Sequence, residues 1–357
     1  MAIGRRGRRI AAAAAVAAVR SARGRELGAE ASSVGAATSS PSQVHPTHSA
    51  LRCREPGASS GIGGLAVGVK TTRFYHATRA VALWGAWGSR LGPALTFASD
   101  GPLEEAATWG ASVVVVENSI DVKRGEPYVP PWRDASVDPD RIDPFALPQL
   151  TRRVAALVKA MHDCWGSSAD WFLIADDDTF VNPELLVKAL SSLNASELHL
   201  LGLPTNSGRF VLPSHEQEYG PSVHCGGSSV VLSRALMAEV ASSADACVAG
   251  MPRTTLAWYW DEVELLGRCL YERLRLNCSE PPRAPGLGAA QQMDLMMQVK
   301  DPRDLDALEA YVEDDLGGDW RLLPIGTLHP MEEKEMRWLG SRVSAPPSGA
   351  RAARSDL

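Results

Sequence analysis

An α/β fold with a mostly parallel central sheet flanked by helices is what this 357-residue sequence predicts, and three observations carry that reading. From Leu65 onwards, short apolar runs alternate with stretches of helical spacing. The runs are continuous rather than alternating, as in strands buried on both faces. One of them, Trp171-Phe172-Leu173-Ile174-Ala175, ends in three consecutive carboxylates, Asp176, Asp177 and Asp178. The carboxyl ends of strands are where open α/β sheets place their ligands.

The first 62 residues stand apart from this pattern. Arg5, Arg6, Arg8, Arg9, Arg20 and Arg23 flank an Ala-rich apolar run, Ile10 to Val19. A membrane span needs roughly 20 residues and a signal-peptide core about 7–15, so the run suits a signal or a weak anchor better than a full span. An Arg-rich, acid-poor start also resembles an organelle transit peptide, and both readings stay open beside that of an uncleaved tail. Residues 20–62 are rich in Ala, Ser, Gly and Pro, the composition of a disordered stem. The ordered domain is expected over 63–342, with a disordered tail over 343–357.

Within that domain a first strand covers Leu65–Val69. A polar loop, Lys70-Thr71-Thr72-Arg73, leads to a helix from His76 to Trp87. Leu95–Ala98 forms a second strand ending at Ser99-Asp100, and Val113–Val116 a third. Residues 118–147 hold Pro127, Pro130, Pro131, Pro139 and Pro144 and are a surface excursion. Leu150, Val154, Leu157, Val158, Met161 and Trp165 make a helical stripe that returns the chain to the strand at Trp171.

Asn182-Pro183-Glu184 supplies a cap and first-turn proline for a helix carrying Leu185, Leu186, Ala189, Leu190 and Leu193. The carboxylates therefore sit in a turn between a buried strand and a helix. Leu198–Leu201 is a further strand, followed by a loop, Cys225-Gly226-Gly227-Ser228-Ser229. Paired glycines let a backbone approach a ligand, and a plain turn is the equal alternative. Val230–Leu232 leads into Ser233, the cap of a helix over 234–243, and another helix runs from Asp261 to Leu274.

Composition excludes some functions. With 36 basic and 42 acidic residues the formal charge is −6, and no basic stripe supports nucleic-acid binding. The six cysteines include no Cys-x-x-Cys pair, which argues against structural zinc. Asn194-Ala195-Ser196 and Asn277-Cys278-Ser279 fit the N-glycosylation pattern and lean towards a secretory lumen.

Three adjacent carboxylates repel one another unless a cation offsets them. Oxygen-rich sites suit Mn²⁺ or Mg²⁺, which accept a diphosphate as co-ligand. The residues alone thus point to a metal-dependent enzyme acting on a nucleotide-linked substrate. An acidic turn favoured by the dipole of the next helix is the simpler alternative.

Five separated blocks then resemble one family. Val69-Lys70-Thr71-Thr72-Arg73-Phe74, with Arg79, Trp87, Thr96-Phe97 and Asp100-Gly101, resembles the opening of fringe glycosyltransferases. Ala169-Asp170-Trp171-Phe172 leading to Asp176-Asp177-Asp178 and Phe180-Val181-Asn182 resembles the metal centre of that group, glycosyltransferase family 31. Cys225-Gly226-Gly227, Val231-Leu232-Ser233-Arg234, Gly267-Arg268-Cys269, Cys278 and Thr327-Leu328-His329-Pro330 are similar to the amino-terminal half of chondroitin synthases. Core 1 β1,3-galactosyltransferases are a further branch that the chain resembles.

The resemblance implies a GT-A fold, a UDP-sugar donor, a glycan or glycoprotein acceptor, Mn²⁺ (or Mg²⁺), and inverting transfer to a β1,3 linkage. It implies a Golgi or other secretory-lumen location, as a type II membrane or secreted protein. Asp176 and Asp178 would hold the metal with His329, and Asp176 would also face the donor. Lys70, Thr71, Thr72, Arg79, Asp100, Asp177, Gly226 and Gly227 would gather the nucleotide sugar. Asp261-Glu262-Val263 matches the family's acidic pair in the reversed order Asp-Glu, so that Glu262, or else Asp261, would be the base. The implied disulfides are Cys225–Cys247 and Cys269–Cys278. A catalytically silent relative serving an active enzyme is a second reading. A phosphatase or nucleotide hydrolase would explain the acids but not the blocks at Lys70–Asp100 and Asp261–Val263.

Overall fold

The computed structural model describes residues 62–116, 148–206, 223–249, 269–282, 296–298, 303–316, 319–320, 323 and 325–344. Six strands among them form the central sheet: β1 (Leu65–Lys70), β2 (Leu95–Ser99), β3 (Ser112–Val115), β4 (Trp171–Asp176), β6 (Leu200–Asn206) and β7 (Val223–Ser233). Their order is β3-β2-β1-β4-β7-β6. β1 pairs in parallel with both β2 and β4, and β2 with β3. β7 is antiparallel to β4 and to β6, so β7 alone of the six is reversed. A smaller sheet joins β5 (Phe180–Val181), β9 (Thr327–His329) and β8 (Met296–Gln298) in that order.

Two-faced burial explains the continuous apolar runs. In β1, Leu65, Val67 and Val69 enter one core while Ala66 enters the other. In β4, Trp171 and Leu173 alternate in the same way with Phe172 and Ile174. The first core is covered by α1 (Val81–Ala86), α4 (Pro183–Leu190), α7 (Arg303–Asp315) and α8 (Glu333–Ser344); the second by α3 (Pro148–Trp165) and α5 (Arg234–Ala249). Two short helices, α2 (Glu105–Trp109) and α6 (Leu270–Leu274), complete the described set. A Cβ on Gly68 of β1 would collide with Met161 and Leu157, so glycine there lets α3 lie close on the sheet.

Local signals act as expected. Asn182 Oδ1 accepts from Leu185 N at 3.3 Å, capping α4, and Ser233 Oγ accepts from Leu236 N at 3.2 Å, capping α5. α5 runs on to Ala249, past the predicted end at residue 243, and α4 stops at Leu190 rather than Leu193. The strand expected at Leu198 begins at Leu200 and continues to Asn206.

Two expectations are corrected, and some elements are additional to those expected. The glycine-rich stretch Cys225–Ser229 is not a loop but part of the eleven-residue strand β7. Its pairing with β6 shifts register between Gly202 and Leu203, so the glycines sit at an irregularity within a strand rather than at a turn. Cys225 is bonded to Cys278 and Cys247 to Cys269, not in the pairs implied by the resemblance. The chain beyond α6 returns along β6, where Ser279 N donates to Leu200 O at 3.0 Å and Gly202 N to Ser279 O at 2.9 Å. That brings Cys278 beside Cys225, with 5.1 Å between their Cα atoms. Gly202 is where a side chain would strike Cys225. Finally, α7, α8 and the smaller sheet were not foreseen. Their cue is the spacing of Leu305, Leu308, Val312 and Leu316, and of Met336, Leu339 and Val343.

The predicted surface excursion over 118–147 and most of the helix from Asp261 lie outside the described residues, as do the amino-terminal segment and all of the expected tail beyond Ser344. Among the described residues no helix is long and apolar enough to cross a membrane.

Candidate active site

The site forms where β1 and β4 end side by side. Their register pairs Lys70 with Asp176, and Lys70 Nζ lies 2.9 Å from Asp176 Oδ1. After β4 the chain turns at once: Thr179 N donates to Asp176 O at 3.1 Å, closing a four-residue turn of the kind Asp favours. Successive side chains then point different ways. Asp176 is 38% exposed, Asp178 14%, and Asp177 faces the interior at 4%.

His329 reaches this turn through the smaller sheet. Phe180 pairs with Leu328, and Asn182 N donates to Gly326 O at 2.7 Å, which lays β9 along the outgoing chain. Met331 N donates to Asp178 O at 2.9 Å just beyond it. His329 Nε2 thus comes 3.1 Å from Asp178 Oδ1 and 3.7 Å from Asp176 Oδ2. Trp87, fully buried at the end of α1, supports the turn from behind: its Nε1 donates to Thr179 O at 3.0 Å.

The charges of the site act on one another. Burial, and then the charge of Asp178, push Asp177 up to about 7, against the pull of Arg79 and Thr71. Burial would also raise Asp178, but His329 and Arg79 outweigh it and hold the carboxyl below its usual range. Burial would lower His329, but contact with Asp178 and the charges of Asp176 and Asp178 raise it. The His329–Asp178 contact is an ion pair rather than an aligned hydrogen bond, since Asp178 Oδ1 is buried without a hydrogen-bond partner.

A divalent cation fits these residues. Asp176, Asp178 and His329 each offer one atom, all within 4.8 Å of one another, and they are the one such group among the described residues. Two carboxylates and an imidazole make a donor set that Mn²⁺ accepts, and Asp178 Oδ1, buried with no hydrogen-bond partner, is a ready ligand atom for it.

The remaining predicted residues are distributed as follows. Thr71 is buried and its Oγ1 donates to Asp177 Oδ2 at 2.7 Å. Arg79 Nη1 lies 3.1 Å from Asp177 Oδ1 and 3.0 Å from Asp178 Oδ2. Thr72 is half-buried in the loop after β1, where its carbonyl accepts from Tyr75 N at 2.8 Å. Asp100 follows β2, and its Oδ1 accepts from Arg73 N at 2.7 Å, tying two strand-end loops together. Gly226 and Gly227 lie in β7, close in sequence to Ser229, whose Cα pairs with Ala175. Asp261 and Glu262 lie outside the described residues.

Several supporting residues carried no sequence signal of their own. Arg153, buried in α3, donates from Nη1 to Thr71 O at 3.1 Å. His76 Nε2 is 2.7 Å from Ser99 Oγ, a buried contact between the helical turn that opens at His76 and the last residue of β2. The Tyr75 ring lies 4.0 Å from the Arg79 guanidinium. Arg153 follows another arginine, Arg152, and nothing local distinguishes it, His76 or Tyr75 in the sequence.

Residues 146–283 match the family model described as Fringe-like. Chondroitin sulfate synthase 3 from Mus musculus is 27% identical over 229 residues, covering 60% of this chain and 23% of that protein. The Homo sapiens chondroitin sulfate synthase 3 is 29% identical over 114 residues, covering 32% of this chain and 12% of that protein. The chain thus spans less than a quarter of the length of these relatives. Among solved structures, the galactosyltransferase LgtC with donor and acceptor sugar analogs covers 79% of this chain and 98% of its own at 10% identity and a TM-score of 0.38. Mouse xyloside xylosyltransferase 1 covers 74% and 96% at 11% identity and a TM-score of 0.35. The acids thus stand at the end of β4 in a mostly parallel sheet flanked by helices, and over residues 146–283 the chain is similar to the fringe-like family of glycosyltransferases.

Proposed function

We propose that the protein is an inverting, metal-dependent glycosyltransferase that moves a sugar from a UDP-sugar to a hydroxyl of a glycan acceptor on glycoprotein or glycosaminoglycan, forming a β1,3 linkage. The observation that carries this reading is the convergence of Asp176, Asp178 and His329 at the carboxyl end of β4. Those three would hold the cation, Mn²⁺ or Mg²⁺. When bound, the ion supplies positive charge for the diphosphate of the leaving UDP.

The protein's own groups divide the remaining work. Lys70 and Arg79 place two further cations beside the carboxylates, where a diphosphate is attracted. Thr71, Thr72 and Asp100 line the strand-end loops that would take the nucleoside, and Gly226 and Gly227 the strand on the other side of β4. Glu262, or Asp261 beside it, would take the proton from the acceptor hydroxyl as it attacks the anomeric carbon. The working domain is 63–342. A Golgi or other secretory lumen is the proposed compartment, supported by the disulfides Cys225–Cys278 and Cys247–Cys269 and by the exposed Asn194 and Asn277.

A screen of UDP-galactose, UDP-N-acetylglucosamine, UDP-glucuronic acid and UDP-N-acetylgalactosamine, with and without glycan acceptors, tests the reading. Acceptor-dependent UDP release supports it. Release indifferent to acceptor would mean a hydrolase, and none with any donor would mean a silent relative. Glu262→Gln should keep donor binding while transfer falls by roughly 10²–10⁴-fold, and the reverse ranking with Asp261→Asn would move the base to Asp261.

A further inference from the structure

Asp177 stands apart from the two carboxylates beside it. It is 4% exposed and turned into the fold, with Oδ2 accepting from Thr71 Oγ1 at 2.7 Å and Oδ1 from Arg79 Nη1 at 3.1 Å. Both of its oxygens are thus engaged inside the protein. A carboxylate so placed is poorly disposed to touch a nucleotide sugar, the role that the family resemblance implied for it.

What Asp177 holds is Arg79. The same Nη1 lies 3.0 Å from Asp178 Oδ2, and the Tyr75 ring packs 4.0 Å from the guanidinium. Asp178 therefore has two differently employed oxygens. Oδ2 is fixed by Arg79, while Oδ1 is buried, lacks a hydrogen-bond partner, and lies 3.1 Å from His329 Nε2.

We infer that Asp177 is a positioning residue for the metal site: it keeps Arg79 on one oxygen of Asp178, so that the other remains open to the cation. This rests on the metal reading above. A guanidinium presents a planar fork of donors and favours a bidentate grip on a single carboxylate. With Asp177 present, Arg79 is shared between two carboxylates and its nitrogen bridges them. Without Asp177, Asp178 is the carboxylate left beside Arg79, and a bidentate grip would cover Oδ1. Thr71 sets the direction of Asp177 in turn, which links the end of β1 to the acids after β4.

Manganese binding by the full chain tests this without any turnover. The metal-free protein is titrated with Mn²⁺, and free ion is read by electron paramagnetic resonance. Asp177→Ala should weaken binding by about 10–100-fold, the usual cost of losing a group that orients a metal ligand. Adding Arg79→Ala to that variant should recover most of the affinity, because the released guanidinium is then gone. Asp177→Asn, nearly isosteric and still able to accept from Arg79, should fall between Asp177→Ala and the unaltered protein, and it serves if Asp177→Ala does not fold. Circular dichroism melting identifies which variants are folded. Folded Asp177 variants that bind Mn²⁺ as tightly as the unaltered protein would overturn the inference and leave the metal site standing. So would a double variant no tighter than Asp177→Ala. Failure of the unaltered protein to bind Mn²⁺ would overturn the metal site itself, and this inference with it.

Discussion

Lys70 and Asp176 are Cα partners in adjacent parallel strands, and their side chains form an ion pair of 2.9 Å at the strand ends. The pair places a cation against one carboxylate of the proposed metal site, at the point where a diphosphate would arrive. Lys70 is 8% exposed and Asp176 38%, so the ammonium is confined while the carboxylate remains accessible. Lys70→Gln should therefore weaken UDP binding in the presence of Mn²⁺, yet leave Mn²⁺ binding alone undiminished, because it removes a competing positive charge. Calorimetric titration with each ligand separates the two effects, and loss of Mn²⁺ binding would contradict this division.

Chelation should abolish transfer and added Mn²⁺ should restore it. Asp178→Ala and His329→Ala should each lose metal-dependent UDP binding together with turnover. Since Asp178 and Asp176 raise His329, the imidazole keeps its proton to higher pH than an ordinary histidine. The cation must displace that proton, so Mn²⁺ affinity should decline as pH falls through and below the raised value. Full activity in excess chelator would exclude the mechanism.

His76 bears on stability rather than on metal. Burial lowers its proton affinity against the opposing charges of Asp100 and Glu105. The unfolded chain then takes up a proton near pH 6.5 that the folded state accepts only at lower pH. The stability contributed by neutral His76 is present above that value and is lost as pH falls below it. His329, raised, works in the opposite direction. His76→Gln should flatten the acid-side loss of melting temperature relative to the unaltered protein, and identical pH profiles would remove His76 as its source.

Peptide mapping without reduction should recover Cys225 joined to Cys278 and Cys247 joined to Cys269. Loop closure predicts that the bridge of sequence separation 53 stabilises more than the one of separation 22, each contributing about 2–4 kcal/mol. In a secretory compartment, removal of N-glycans should reduce the mass of the protein, and Asn194→Gln should abolish part of that shift. Asn194 is exposed in a turn where its Oδ1 accepts from Ser196 N at 3.0 Å. A reduced, unglycosylated protein in a plastid or mitochondrion would refute the compartment.

The sequence by itself determined the elements whose signals are local. Buried strands show as unbroken apolar runs because both faces of the sheet are covered, and Asn182, Pro183 and Ser233 mark helix starts because caps satisfy backbone donors within one turn. It also determined which residue types reach the site, since the acids must follow β4 directly. Tertiary structure decided what each group does there. Asp176, Asp177 and Asp178 are alike in sequence, and only the packing of Thr71 and Arg79 turns the middle one inward. His329 joins them because β9 pairs with β5, a contact between distant segments that no local pattern encodes. Cys225 meets Cys278 for the same reason, as the chain after α6 returns along β6. Gly226, which locally favours a turn, is held in a strand because β6 pairs Leu203 with it, and Gly227 follows at the irregularity in that pairing. Pairing over long sequence separation, rather than propensity, settles such positions.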